Sequence, residues 1–389
     1  MKPLKILHVA SFSGNIGDNA NHMGFCPWLK QLADRNVEWT QLEIRQFFWG
    51  ERAWDERFVD YANTFDALVI GGGNYFELWV ESSPTGTSIA MPPDLWAKLR
   101  VPVYFNALGV DPGQGVPEVC RVRFQAFLDT LLADPKCLVS VRNDGAKRNL
   151  SDTLGDGYAD AVLHAPDNGF FAGFAPAPSI PLFSDPAVAR VVTLNLASDM
   201  ADIRFSAYGA TGIDGFASEC ARAITVLSRC EPSLGFLFAP HIFRDLDIIN
   251  RVIDRLPDRL RRSRVAQAPY GTGDAAAETV FGLYAASQVC VGMRFHANVV
   301  PIGNRCQTLG LVCYPQIAAL YDEVGQPDRC IDVSAGNFAE ALANRVTDAL
   351  NKPDTAFTGT PEQALSTAQA LRDAMTPSVL QWLDGVRSR

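Results

Sequence analysis

The sequence predicts an α/β protein with two Rossmann-like domains, each built on a parallel sheet. Short apolar segments alternate with longer amphipathic segments along most of the chain, as in folds where each strand is followed by a helix. The chain has 389 residues, more than one hydrophobic core usually serves, and 48% of them are apolar. Two domains of this kind are expected to direct the carboxyl ends of their strands toward an intervening cleft.

Composition excludes several classes of function. The formal net charge is −9, so general nucleic-acid binding is not expected. The 9 cysteines never form Cys-x-x-Cys, which favours free thiols in a reducing compartment over disulfides or a zinc site. No segment has the apolar length of a secretion signal or a membrane span. We therefore expect a cytoplasmic protein.

The strand pattern sets the expected domain boundaries. The first domain is predicted over residues 1–175, with strands at 4–11, 37–44, 66–70, 101–109, 137–141 and 158–163. A proline-rich linker is predicted at 172–186. The second domain is predicted over 187–355, with strands at 191–196, 234–239, 265–268, 288–291, 308–313 and 329–333. Residues 356–389 are expected to contain helices, two of them in the last part, that pack back across the domains.

Two glycine-containing turns follow strands of the first domain. Gly14 and Gly17 lie in the first turn, which precedes a helix and presents backbone N–H groups to an anion or a sugar hydroxyl. A purely structural turn is the alternative there, and the pattern is not that of a dinucleotide-binding loop. Three consecutive glycines from Gly71 to Gly73 end the third strand and leave room for a ligand against the backbone.

The stretch around Arg294 and His296 carries the main functional prediction. It follows a short strand that Gly292 ends, and a helix is predicted after it. In extended backbone the side chains of Arg294 and His296 would face one side, with Phe295 toward the core. A permanent cation beside a group that titrates near neutrality suits an anionic substrate that needs proton transfer.

Three further residues follow predicted strands. Arg142 is expected to make a second anion contact. His241 is interpreted either as a second proton carrier or as a structural residue. Asp245 is expected to cap and begin the helix that follows His241 rather than to bind a metal.

Four short motifs in this order give the chain a resemblance to the polysaccharide pyruvyl transferase family, over residues 4–333. They are Gly14-Asn15-Ile16-Gly17-Asp18, Gly71-Gly72-Gly73, Ser140-Val141-Arg142 and Val291-Gly292-Met293-Arg294-Phe295-His296-Ala297. The resemblance implies a fold like that of type-B glycosyltransferases. It also implies a transferase that moves a pyruvyl group from phosphoenolpyruvate to a sugar of a glycan, as a ketal bridging two hydroxyls.

The resemblance assigns roles to the residues already singled out. His296 is expected to act as general acid and base, and Arg294 as a clamp for the phosphate or carboxylate. The other donor-side residues are Arg142, His241, Gly292 and Asn298, and the acceptor-side residues are Asn15, Gly17, Asp18, Gly72, Gly73 and Asn74. Two positions depart from the family pattern, Asn143 and Asn168, where the family often has Asp and Pro.

The expected partners are phosphoenolpyruvate and a sugar or glycan acceptor, with no metal and no resident cofactor. The acceptor can be free, nucleotide-linked or lipid-linked, and a lipid-linked one would bring the chain to the inner membrane face. The sequence is compatible with both a monomer and a homo-oligomer. One alternative is a nucleotide-sugar glycosyltransferase of the same fold, with Asp322 or Glu323 on a ribose, and another is a non-catalytic protein that binds a glycan or an anion.

Overall fold

The computed structural model describes residues 2–177 and 182–387. Within them the chain forms two compact units. The first comprises the residues up to Phe12, Gly24–Asn168 and the residues from Ala368 onward. The second comprises Ser13–Met23 and Gly169–Thr367.

The first unit is organised around a six-stranded parallel sheet. The strands of this unit are β1 (Leu4–Ala10), β2 (Val37–Glu43), β3 (Ala67–Gly71), β4 (Phe76–Glu77), β5 (Val103–Leu108), β6 (Val110–Asp111), β7 (Cys137–Arg142) and β8 (Leu163–Ala165). The sheet has the order β2-β1-β3-β5-β7-β8, and β4 pairs separately with β6. The order changes direction between β1 and β3, which makes their carboxyl ends the switch point of this sheet.

Both faces of this sheet are buried. Leu7 and Val9 of β1 belong to one apolar core, and Leu4 and Ile6 belong to another. Successive side chains of a strand point to opposite faces, so a strand covered on both faces is apolar throughout. This explains why β1 is mostly apolar in the sequence, with Lys5 as its exposed residue.

Helices connect these strands. Helix α1 (Ile16–Ala33) begins in the second unit and ends in the first, because the division falls after Met23. The other helices of the first unit are α2 (Arg45–Phe48), α3 (Glu56–Ala62), α4 (Pro93–Trp96), α5 (Glu118–Ala133), α6 (Ala146–Leu154) and α7 (Asp156–Ala161).

The second unit has its own six-stranded parallel sheet. Its strands are β9 (Arg190–Asn195), β10 (Leu234–Phe238), β11 (Val265–Gln267), β12 (Val289–Gly292), β13 (Gln307–Val312) and β14 (Cys330–Asp332). They pair in the order β11-β10-β9-β12-β13-β14, which is the strand order of dinucleotide-binding Rossmann folds. The switch point lies between β9 and β12, where Asn195 pairs with Gly292.

The helices of the second unit complete the fold. They are α8 (Ala201–Arg204), α9 (Gly212–Cys230), α10 (Asp245–Asp254), α11 (Asp258–Ser263), α12 (Asp274–Ala285), α13 (His296–Gly303), α14 (Pro315–Glu323), α15 (Phe338–Asn351), α16 (Pro353–Ala356) and α17 (Pro361–Arg387), with short 3₁₀ turns at Asn168–Phe171, Ser206–Thr211 and Pro327–Arg329. From Ala368 onward α17 belongs to the first unit.

Two predictions of local structure are wrong. Residues 158–163 were predicted as a strand, but α7 (Asp156–Ala161) is helical and the strand β8 follows it. A short apolar segment does not reveal by its periodicity alone whether it is a strand or a buried helix. The two predicted C-terminal helices are a single helix, α17, which contains Pro377.

The division into units also differs from the predicted boundaries. The chain enters the second unit at Gly169, before the predicted linker. Residues 178–181 of that linker lie outside the described residues. Just before them, Phe174 packs 5.0 Å from Phe281 between ring centroids, and the amide of Ala177 donates to the carbonyl of Gly282. This part of the predicted linker is therefore packed onto the second unit.

Candidate functional site

The candidate site is at the switch point of the second unit, where Asn195 joins three strand ends. Its side-chain oxygen accepts from the amide of Arg294 at 2.9 Å, and its side-chain nitrogen donates to the carbonyl of Ala239 at 3.0 Å. Its own carbonyl accepts from the amide of Met293 at 3.1 Å. Asn195 thus fixes the ends of β10 and β12 relative to β9.

The Arg294 guanidinium is held by two carboxylates. Its Nε lies 2.8 and 3.1 Å from the two oxygens of Asp245, and its Nη2 donates to both Asp245 and Asp199. The Asp245 side chain is completely buried, whereas that of Asp199 is 26% exposed and that of Arg294 is 12% exposed. Arg294 therefore pairs with one fully buried carboxylate and with one carboxylate that is partly exposed to solvent.

Arg204 extends this pair into a row of alternating charges. It bonds to Asp199 at 3.1 Å and lies 4.7 Å from the centroid of the Tyr314 ring. Burial alone would raise the pKa of the Asp199 carboxyl, but Arg294 and Arg204 outweigh it, so this pKa is lowered. The four charges of Asp245, Arg294, Asp199 and Arg204 sum to zero. An anionic substrate would thus compete with Asp199 for Arg294.

His296 is the first residue of α13 and is 5% exposed. The prediction of extended backbone at 294–296 is wrong, because Phe295 has helical angles, φ −54° and ψ −54°. Side chains two apart on a helix do not face each other, so the expected reason for placing Arg294 and His296 together does not apply. Phe295 is buried, as expected. Arg294 and His296 nevertheless share a neighbour, because both lower the pKa of His241 electrostatically.

The first amides of α13 are already used. Those of Ala297, Asn298 and Val299 donate to the carbonyls of Arg294 and Phe295 at 3.0–3.1 Å. A helix N-terminus binds anions directly when its amides are open. These three amides are therefore not open to bind an anion.

His241 is a neutral hydrogen-bonding residue. Burial, followed by the charges of Arg294 and His296, lowers the pKa of its imidazole well below the ordinary value of 6.5. Its Nε2 lies 3.0 Å from the hydroxyl of Tyr284, whose own pKa burial raises well above 10.0. Neither group titrates near neutrality, so this geometry favours the structural alternative for His241.

Asp245 connects His241 to Arg294. Its Oδ2 accepts from the amides of His241 at 2.9 Å and Ile242 at 3.2 Å, while its carboxylate also binds Arg294. Asp245 begins α10 as expected, but it does not cap the helix, because its side chain accepts from two amides that precede α10. The ion pair with Arg294 is a role that the sequence did not indicate.

Asn298 and Gly292 fix the turn that carries Arg294. The Asn298 side chain donates to the carbonyls of Gly292 at 3.1 Å and Arg294 at 2.9 Å, and accepts from the Tyr321 hydroxyl at 2.9 Å. A Cβ on Gly292 would lie 2.6 Å from the carbonyl oxygen of Ala297. The contacts of both residues thus hold the turn that carries Arg294 in place.

The structure divides the predicted acceptor residues between the units. Asn15, Gly17 and Asp18 belong to the second unit, together with His296. The others, Gly72, Gly73 and Asn74, follow β3 in the first unit.

The glycine turn after β3 is tightly built. Gly71 and Gly72 have φ angles of +134° and +89°, which favour glycine, and the Gly72 amide donates to the carbonyl of Asn106 at 2.9 Å. Asn74 donates to Asp111 at 2.8 Å. These residues lie at the switch point of the first sheet, where open α/β sheets bind ligands.

Arg142 occupies a second buried ion cluster, in the first unit. Its guanidinium lies 2.7 Å from Asp144 and 3.4 Å from Asp167, and none of the three side chains is more than 4% exposed. Asp144 supplies the carboxylate next to this strand, although Asn143 occupies the position where the family often has Asp. The anion contact predicted for Arg142 is thus filled by protein carboxylates.

The sequence analysis missed Asn195, Asp199 and Arg204. Asn195 ends β9 and the other two follow it, and they come near Arg294 because β9 and β12 are adjacent in the sheet. The strand order was the missing information, since polar residues after a predicted strand were the only signal in the sequence.

Comparison with known proteins identifies the family. The sequence profile of the family described as polysaccharide pyruvyl transferase matches residues 15–313, most of the chain. The chain therefore belongs to the polysaccharide pyruvyl transferase family, as its motifs predicted. No curated protein sequence matches it.

Solved structures resemble the whole chain. A protein from Listeria monocytogenes described as a UDP-N-acetylglucosamine 2-epimerase has a TM-score of 0.58 at 11% identity, with 97% of this chain and 96% of that chain covered. The UDP-GlcNAc 2-epimerase of Neisseria meningitidis, bound to UDP-GlcNAc, has a TM-score of 0.55 at 12% identity, with 96% and 99% covered. These likenesses show the fold alone, and they confirm the glycosyltransferase type-B fold.

The described residues contain neither a candidate metal-binding cluster nor a helix suited to span a membrane. No group of three or more His, Cys, Asp or Glu side chains in residues 2–177 and 182–387 is arranged to hold a metal ion. No helix in these ranges combines the length and the apolar character needed to cross a bilayer.

Proposed function

We propose that the protein transfers the pyruvyl group of phosphoenolpyruvate to a sugar of a glycan or glycan precursor, as a ketal, with release of phosphate. The observation that carries the proposal is the position of Arg294 and His296 directly after β12, at the switch point of a Rossmann-ordered sheet. Membership of the pyruvyl transferase family supports the same reaction.

The reaction has a simple proton balance. One sugar hydroxyl adds to C2 of phosphoenolpyruvate, and the methylene carbon takes up a proton and becomes a methyl group. The second hydroxyl then bonds to C2 as the C2–O bond to phosphate breaks. Two hydroxyl protons are released, one of which balances the methyl group while the other leaves with phosphate. No oxidant or reductant is needed.

His296 is the proposed general acid and base. An imidazole exchanges protons near neutrality and typically contributes about 10²–10⁴-fold to such a step. His241 is unsuited to this role because its pKa is lowered well below 6.5 and its Nε2 is bonded to Tyr284. Of the two histidines that follow strands of this sheet, His296 is therefore the one that we assign to proton transfer.

Arg294 is the proposed anion clamp. Its hydrogen bonds within the described residues use Nε and Nη2, so Nη1 is the nitrogen left for a phosphate or carboxylate oxygen. Asp199 is partly exposed and holds the outer side of the guanidinium. An incoming anion can displace Asp199 while Asp245 keeps the guanidinium in place.

The acceptor is proposed to contact the first unit near Gly72, Gly73 and Asn74. These residues lie at the carboxyl end of β3, beside the switch point of their sheet. The acceptor class is a sugar or glycan, which the family description supports.

The test is acceptor-dependent phosphate release from phosphoenolpyruvate, with a panel of free, nucleotide-linked and lipid-linked sugars. We expect release by the wild type and a loss of about 10²-fold or more in His296→Gln, while His241→Gln retains most of the rate. Turnover of a sugar nucleotide without phosphoenolpyruvate would instead identify a glycosyltransferase. Full activity of His296→Gln would overturn the assigned role.

A further inference from the structure

The first turn of α1 lies directly against the imidazole of His296. A Cβ placed on Gly17 would be 2.5 Å from Nδ1, 2.7 Å from Cβ and 2.8 Å from Cγ of His296. Real Cβ atoms essentially never approach other heavy atoms so closely. The space that a side chain at position 17 would occupy is therefore filled by the ring of His296.

Gly17 is not needed for its backbone conformation. Its φ is not among the positive values of the chain, whereas Gly14 in the same turn has φ +84° and nothing within 4 Å of its Cβ position. Gly17 is also the second residue of α1, where alanine would stabilise a helix by about 1 kcal/mol relative to glycine. The reason for a glycine at this position is the contact with His296.

The turn is anchored on both sides of Gly17. The Ile16 amide donates to the carbonyl of His241 at 3.4 Å, and the Gly17 amide donates to the side chain of Asn15 at 3.1 Å. Asn15 also donates to Asp18 at 3.1 Å, and Asn19 donates to Asp274 at 2.9 Å.

The side chains of the turn are buried as well. Ile16 and Ala20 share one apolar core with Tyr284 and Ala297, which follows His296 directly. The turn therefore cannot move away from the imidazole without breaking these contacts.

We propose that Gly17 is a positioning residue for His296 and that the Asn15–Asp18 turn is a wall that sets the orientation of its imidazole. This inference rests on the proposed role of His296 in proton transfer. It replaces the interpretation of Gly17 as an acceptor ligand. A displacement of about 1 Å in a reacting group can cost on the order of 10²-fold in rate, so the wall matters for catalysis without touching the substrate.

The first experiment compares Gly17→Ala with Gly14→Asn, a matched change in the same turn. Asn tolerates the positive φ of position 14, and no atom lies near the side chain there. We expect Gly17→Ala to lower kcat by about tenfold to 10²-fold with little change in phosphoenolpyruvate affinity, and Gly14→Asn to change neither. Equal kcat in wild type and Gly17→Ala would overturn the proposal.

A second readout does not depend on activity. Imidazole NMR of ¹⁵N-histidine-labelled protein reports the state of each of the 5 histidines, and the His296 signals are assigned by their loss in His296→Gln. We expect Gly17→Ala, and not Gly14→Asn, to shift the His296 signals. Unchanged His296 signals would contradict the inference even if the transferase reaction were established. Shifted signals would support it even if no phosphate release were found.

A double-mutant cycle of unfolding free energies tests the contact between Gly17 and His296 if Gly17→Ala folds poorly. The contacts include Cβ of His296, so the suitable background is His296→Gly rather than His296→Ala. In that background the added methyl group has space, and we expect Gly17→Ala to cost no stability in urea unfolding. The same loss of stability in both backgrounds would show that Gly17 acts independently of His296.

Discussion

Arg142 and Arg294 resemble each other closely in the sequence and differ in their surroundings. Each ends or follows a strand, precedes a helix and is bound by two carboxylates. Around Arg142 all three side chains are sealed, with at most 4% exposure. Around Arg294 one carboxylate is equally buried, but Asp199 is 26% exposed. Only the second cluster can exchange a protein carboxylate for a substrate anion without opening the core.

The exposure of the paired carboxylates distinguishes a structural arginine from a functional one. A cation after a strand is a weak signal for an anion site, because buried ion clusters use the same position. The informative feature is the exposure of its partners. By that criterion we propose a structural role for Arg142 and keep the anion clamp for Arg294.

The largest expected effect is on stability at Arg142. Arg142→Gln leaves Asp144 and Asp167 buried without their cation, and breaking such a cluster costs about 3–5 kcal/mol of the free energy of unfolding. Arg294→Gln should cost less, because Asp245 keeps two backbone amide donors and Asp199 reaches water. Urea unfolding followed by circular dichroism measures both.

A smaller loss in Arg142→Gln than in Arg294→Gln would break this comparison. The double variant Arg142→Gln/Asp144→Asn is a control, since removing one unpaired charge should recover part of the lost stability. No recovery would mean that the guanidinium acts through packing alone.

The next effect is the pH dependence that His241 contributes. Its imidazole has a pKa near 6.5 when unfolded and a much lower pKa when folded, so below pH 6.5 the unfolded chain binds a proton that the folded chain refuses. The free energy of unfolding therefore falls as pH decreases below 6.5, by up to about 1.4 kcal/mol per pH unit from this group.

The control for this prediction is His241→Gln, which cannot titrate. Its unfolding free energy should depend less steeply on pH between 6.5 and 5, by about the amount that His241 contributes. An identical slope in wild type and variant would show that His241 accepts a proton in the folded state.

The smallest expected effect is at Asp199. Asp199→Asn removes the charge that competes for Arg294, so phosphoenolpyruvate should bind a few-fold more tightly, a change on the order of 1 kcal/mol. Calorimetric titration measures this, with Asp202→Asn on α8 as the control for general charge removal. Weaker binding in Asp199→Asn would show that Asp199 supports the substrate rather than competing with it.

The sequence was sufficient for most of the fold. The strands β1, β9 and β13 were predicted within a residue or two, because fully buried parallel strands form continuous apolar segments. It was insufficient at α7, whose apolar segment is short enough to suit either a strand or a helix. The two helices predicted at the C-terminus are one helix, α17, which runs through Pro377.

The sequence indicated two residues of the candidate site, but it did not indicate which residues contact them. Arg294 and His296 were singled out from one short stretch. Their partners Asp199 and Gly17 come from distant parts of the sequence, and only the folded arrangement brings them there. Side-chain periodicity reports which face a residue occupies, and it does not report which strand lies beside it.

Calorimetric titration with phosphoenolpyruvate tests whether Arg294, and not Arg142, binds the substrate anion. The proteins to compare are the wild type, Arg294→Gln and Arg142→Lys, each shown to be folded. Loss of a charged anion contact costs about 1.5–3 kcal/mol, so Arg294→Gln should bind about 10- to 100-fold more weakly. Arg142→Lys should bind as the wild type does, because its cluster is sealed from substrate. Unchanged binding in Arg294→Gln together with lost binding in Arg142→Lys would contradict the account and place the anion site in the first unit.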